Sequence, residues 1–160
     1  MTPIEFRDRR LLTPDDHAAQ QAPGPGVAEL VGTTRTEMMA GIAAAVPGAT
    51  LSDISGAIED AATPGGYGIV RQFVGHGIGT EMHQEPQLPN YRTGVRGMKL
   101  VPGICLAIEP MLTLGCHEVA VQPAGLPVVT RGGSLAAPSE PPTARPDTRP
   151  DAPPALRTPT

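Results

Sequence analysis

Proline and glycine cut this chain into short lengths, and that punctuation limits every element it can build. Pro23-Gly24-Pro25-Gly26, Pro47-Gly48, Pro64-Gly65-Gly66 and Pro102-Gly103 each close one pattern and open another. No apolar run between them approaches the roughly 20 residues that a bilayer-spanning helix needs. Residues 1–26 are polar, carry Arg7, Asp8, Arg9 and Arg10 together, and show no helical or strand period. Such a segment cannot offset its own ordering entropy, so a disordered lead-in ending in a linker is expected. From Pro138 the chain turns to Pro, Ala, Thr, Arg and Asp, and the same argument predicts a disordered tail over 138–160. The folding information lies in residues 27–137, enough for one ordinary domain.

Within that span the apolar residues keep time. Val27, Leu30, Val31, Thr34, Met38, Ile42 and Ala45 recur at spacings of three and four and predict a helix that Pro47-Gly48 stops. Thr50 and Asp53 fit a capping box for a second helix, whose apolar face is Leu51, Ile54, Ala57, Ile58 and Ala61. Pro64-Gly65-Gly66 then turns the chain into a strand-like run from Tyr67 to Val74. Gln84 to Tyr91 holds two prolines and no period, which predicts an extended surface segment. Pro102-Gly103 reads as a turn, Ile104 to Ile108 as a buried strand, and Pro110 as an edge or local break. Glu118–Val121 and Leu126–Thr130 read as two short strands joined by Pro123-Ala124-Gly125 in a hairpin. Helices laid across a sheet give an α+β class.

Composition closes off several functions. A net charge of −4 leaves no electrostatic case for nucleic acid. No signal-peptide order and no apolar span point away from the membrane. Cys105 and Cys116 form no CxxC pair and read as free thiols of a reducing, cytoplasmic compartment.

The chemistry concentrates in Gly75-His76-Gly77-Ile78-Gly79-Thr80-Glu81-Met82-His83. Three glycines in five positions and no apolar periodicity predict a shaped loop, with backbone able to come close to whatever the imidazoles touch. Neutral imidazole is the commonest protein ligand for transition metals and histidine the usual proton carrier near neutral pH. A lone histidine in a glycine turn is more often simply hydrogen-bonded, so the second motif matters. Glu109 ends the apolar run Ile104–Ile108. If buried, its carboxylate needs a metal, an arginine or N–H donors; facing water, it needs nothing.

Gly75-His76-Gly77-Ile78-Gly79, His83-Gln84-Glu85-Pro86, Leu100-Val101-Pro102-Gly103 and Ile108-Glu109-Pro110-Met111, in that order, resemble type I methionine aminopeptidases. The resemblance runs from about residue 27 to 137 and covers the C-terminal half of that family's catalytic domain. It implies half of a pita-bread (creatinase/aminopeptidase) fold, two helices packed on a curved antiparallel sheet with disordered termini. It implies an activity as well: removal of N-terminal methionine from nascent peptides by water activated between two divalent metals (Co, Mn, Fe or Zn). Carried over position by position, His76 and Glu109 match metal ligands and His83 matches the histidine beside the scissile bond. Glu140, in Ser134-Leu135-Ala136-Ala137-Pro138-Ser139-Glu140, matches the last ligand by spacing, although Pro141-Pro142 replaces the strand that follows in the family. The family's two aspartate ligands, eleven positions apart, have no counterpart among the aspartates here. The expectation is therefore at most one metal, impaired turnover on peptide N-termini, and self-association through the exposed face of a half-fold. Two other readings stand beside it: a non-catalytic peptide-binding module or inert gene remnant, and an Xaa-Pro dipeptidase-like enzyme.

Overall fold

The computed structural model describes residues 25–121 and 128–139. The expectations for residues 1–24, the hairpin turn at Pro123-Ala124-Gly125, Glu140 and the tail after it lie outside the described residues. Pro25-Gly26, expected in the linker, instead begin the first helix, and Pro138, expected in the tail, ends the last strand through its pairing with Met111. The class is α+β. Helices α1 (Pro25–Ala44) and α2 (Leu51–Ala62) are followed by eight short strands. These are β1 (Gly68–Ile69), β2 (Gly75–Ile78), β3 (Gln84–Leu88), β4 (Cys105–Ala107), β5 (Met111–Thr113), β6 (Val119–Val121), β7 (Val128–Thr130) and β8 (Ala136–Pro138). All pairings are antiparallel, in ladders ordered β3-β2-β4, β1-β5-β8 and β6-β7.

The helices form where apolar spacing placed them. Gly48, at φ +89°, ends the first connection in a conformation that suits glycine. The Asp53 carboxylate then accepts from the Thr50 N–H at 2.7 Å and the Thr50 hydroxyl at 2.8 Å, which starts α2. Those two donors hold the Asp53 carboxyl below its usual pKa of 3.8. A depressed carboxylate stabilises the fold above its unfolded pKa and loses that contribution as pH falls through the folded one. Asp53→Ala is therefore expected to lower α2 content at neutral pH and to flatten the loss of far-UV circular dichroism on acidification. Parallel acid titrations of the two proteins would show that the box contributes nothing.

One core joins the helices to β3 and β4: Met38, Ile42, Leu51, Ile54, Ile58, Leu88, Leu106 and Ile108 pack together. With no tryptophan and two each of Phe and Tyr, that core is aliphatic. Gly41 makes close approach possible, since a Cβ there would sit 2.8 Å from Ile58 Cγ1. A second cluster, Leu30, Ala62, Leu112 and Ala137, carries α1 onto β5 and β8. The segment after β3 is tied to α2 by Ser55 donating to the Pro89 carbonyl at 2.6 Å and by Arg92 bonding Glu59 and Asp60.

Three local expectations change. Of the run Tyr67–Val74, Gly68–Ile69 alone is strand, and the supposed loop Gly75–Ile78 is the central strand of its ladder. A Cβ on Gly75 would land on the Ala107 carbonyl oxygen, and one on Gly77 on the Glu85 carbonyl oxygen. The glycines are there so that β3 and β4 can close on β2, and a strand of Gly-His-Gly-Ile shows no apolar alternation to read. The segment Gln84–Tyr91 is extended, but it ends buried: Leu88 and Asn90 are both fully inaccessible. The break at Pro110 is a change of sheet. β4 pairs with β2, whereas β5 pairs with β1 and β8, so the chain crosses between ladders at Ile108-Glu109-Pro110.

Candidate functional site

That crossing point and the central strand β2 build the site. His76 pairs with Ala107 across β2 and β4. Two residues further on, strand alternation returns Glu109 to the same side. The result is His76 Nε2 facing Glu109 Oε1 at 3.7 Å, with the side chains 12% and 21% exposed. On the other flank, β3 skips register between His76↔Gln87 and Gly77↔Gln84, so Glu85 and Pro86 bulge from the ladder. The connection from β2 into that bulged strand carries the exposed His83, whose ring centroid lies 4.2 Å from that of His76 at 39°.

Hydrogen bonding assigns the His76 proton. Its Nδ1 lies 2.9 Å from the Gly77 carbonyl oxygen. A carbonyl can only accept, so the proton is on Nδ1, and in the neutral ring Nε2 keeps its lone pair. That lone pair and a carboxylate oxygen then converge on one space. Their separation exceeds a hydrogen bond and suits two ligands of one small cation, which binds nitrogen and oxygen donors at roughly 2.0–2.2 Å. The donor set thus fits a divalent metal. Among the described residues no three His, Cys, Asp or Glu side chains converge, so the pair alone would supply only part of a coordination shell.

Asn90, to which the sequence drew no attention, supports the pair. Fully buried, it donates from Nδ2 to the Glu109 carbonyl at 3.0 Å and so holds the backbone of the crossing. A single asparagine between Pro89 and Tyr91 has no signal that separates it from a loop residue. Opposite, the Ser139 N–H donates to the Pro110 carbonyl at 3.0 Å, which fastens the end of β8 next to Glu109. A cleft of about 480 Å³ opens alongside, between the end of β2, Pro86, Met98 and the turn before β4. It includes neither His76 nor Glu109, but Gln84 and Glu85 of its wall follow His83 directly.

Comparison with known proteins gives a consistent picture. Residues 18–131 match the model of metallopeptidase family M24. The chain is 48% identical over 110 residues to a methionine aminopeptidase of Clostridium acetobutylicum, covering 69% of this chain and 44% of that protein. Among solved structures, methionine aminopeptidase from Thermotoga maritima aligns at a TM-score of 0.74 and 37% identity, over 79% of this chain and 51% of that one. The Rickettsia prowazekii methionine aminopeptidase aligns at 0.71 and 36% identity, over 75% and 48%. The chain thus spans about half the length of the relatives it matches. These neighbours share the expected pita-bread fold.

Proposed function

The chain belongs to metallopeptidase family M24, and from that premise we propose that it is a partial methionine aminopeptidase whose turnover is impaired. The observation that carries this reading is the His76 Nε2 lone pair directed at the Glu109 carboxylate. His76 and Glu109 would hold one divalent ion (Co, Mn, Fe or Zn). Glu140 completes the proposed ligands, a reading supported by Ser139 being fastened to Pro110 beside Glu109. When bound, such an ion supplies Lewis acidity toward a peptide carbonyl and toward water.

The remaining roles fall to this chain's own groups. Gly77 holds the proton of His76 on Nδ1 and so keeps Nε2 available. Asn90 keeps Glu109 in place. His83, exposed beside His76, can meet the peptide and stabilise charge on it. The adjoining cleft suits an extended peptide end, with Ile78, Pro86 and Ile104 in its wall. Free Cys105 and Cys116 agree with a reducing, cytoplasmic setting, and among the described residues no helix is long and apolar enough to cross a membrane. Self-association through the exposed face of a half-fold is part of the same reading.

Identity separates the readings. A Pyrococcus furiosus prolidase aligns at a TM-score of 0.54 and 18% identity, a likeness of fold alone. The binding-module reading is favoured by the lack, among the aspartates of this sequence, of a pair eleven positions apart. Methionine release from Met-Ala-Ser, with manganese, cobalt or no metal, decides between catalysis and binding. Slow release that needs metal and vanishes in Glu109→Gln is expected. Equal, metal-independent signals from both proteins would leave the binding module as the better account.

A further inference from the structure

Glu37 is the buried carboxylate of the described residues: it is 0% exposed on α1, and neither oxygen has a hydrogen-bond partner. Helical spacing puts it on the face of Leu30, Thr34 and Gly41. Along that face Leu30 packs with Leu112 and Ala137, and Gly41 abuts Ile58 and Ile108. Thr34 offers no donor to it, since its hydroxyl is given to the Leu30 carbonyl at 2.8 Å.

The elements packed on α1 are chiefly α2, β5 and β8, and Leu88 of β3 and Leu106 of β4 share its core, while Glu85 of β3 is exposed and Cys105 of β4 half-buried. Neither the buried face of α2 (Leu51, Ile54, Ser55, Ile58, Ala62) nor β5 or β8 has a titratable side chain. The carboxylates nearby in the fold are engaged elsewhere: Asp53 with Thr50, Glu59 and Asp60 with Arg92, Glu109 with His76. On α1 itself, Glu29 and Arg35 face solvent.

We propose that Glu37 is a proton-operated latch: with its carboxyl neutral, α1 seats on β5, β8 and Ile108, and loss of the proton to solvent unseats α1 and frees Glu109 behind Ile108. The physics is one-sided. A charged carboxylate without donors is strongly disfavoured in an apolar interior, whereas the neutral acid is tolerated. Burial accordingly pushes the Glu37 carboxyl up from 4.5 to about 8. The unfolded chain ionises first, so unfolding releases a proton throughout that window. Stability falls as pH rises from about 4.5 and levels off once the folded protein also ionises, near 8.

The test is urea unfolding of the full chain, of Glu37→Gln and of Glu37→Leu, across roughly pH 5 to 9. The histidines are common to all three proteins and cancel in the difference. Relative to either variant, the unfolding constant of the parent should rise by about tenfold per pH unit up to about pH 8 and then stop rising. Amide exchange along α1, corrected for its intrinsic pH dependence, should accelerate with pH in the parent and stay level in the variants. If one variant does not fold, the other suffices. Unfolding profiles that run parallel in parent and variant, or α1 exchange that is insensitive to Glu37, would overturn the latch.

Discussion

His76→Ala is expected to lower affinity for manganese or cobalt by about 100-fold or more while the fold survives, because the loss of mere supporting groups already costs ~10–100-fold. Two features localise the loss. The Nδ1 contact of His76 is to its own neighbour Gly77, so removing the ring unties no pair of strands. The β2 ladder to β4 runs through backbone groups at His76↔Ala107 and Gly77↔Leu106, which alanine retains. What disappears is one of the two described donors that converge, and Glu109 alone is a weak site. Titration calorimetry with either metal measures the change, and unfolding in urea checks the fold. His83→Ala is the informative companion. Its ring lies beside that of His76 and is not among the proposed ligands, so metal affinity should hold within a few-fold, as expected where no donor is lost. Equal loss of affinity in both variants would move His83 into the coordination shell; no loss in His76→Ala would remove the metal from this pair.

Ile108→Ala is expected to cost about 2–5 kcal/mol, which is a large part of a small domain's stability. Ile108 is fully buried and belongs to the cluster that joins α1, α2, β3 and β4. Gly41 of α1 sits directly against it, since a Cβ there would be 3.3 Å from Ile108 Cγ2. The helix cannot slide in to fill the vacated space without moving Ile58, which the same Cβ position would touch. A cavity therefore remains, and the transfer loss is joined by lost dispersion contacts. The residue also precedes Glu109 at the crossing between ladders, so the carboxylate should lose its fixed distance from His76. Urea or thermal unfolding gives the stability change, and metal titration of the folded fraction gives the second effect. A cost below about 1 kcal/mol would mean that the site collapses around alanine.

What the sequence determined by itself was the set of elements with a local cause. Apolar spacing of three and four wrote both helices, and Thr50 with Asp53 marked where the second begins. Antiparallel β6 and β7 followed from two apolar runs around a turn. His76, His83 and Glu109 stood out because histidine among glycines and a carboxylate closing a buried strand are chemically unusual. Tertiary structure decided the rest. That Gly75–Ile78 is a central strand depends on carbonyls of Ala107 and Glu85 that are close only after folding. Asn90 became a support and Glu37 a buried acid for the same reason: burial is a property of what packs on a residue. Spacing along a helix shows which side chains share a face, whereas the partner of that face comes from distant chain. The 3.7 Å between His76 and Glu109 is of that kind, set by the pairing of β2 with β4 across the crossing at Pro110.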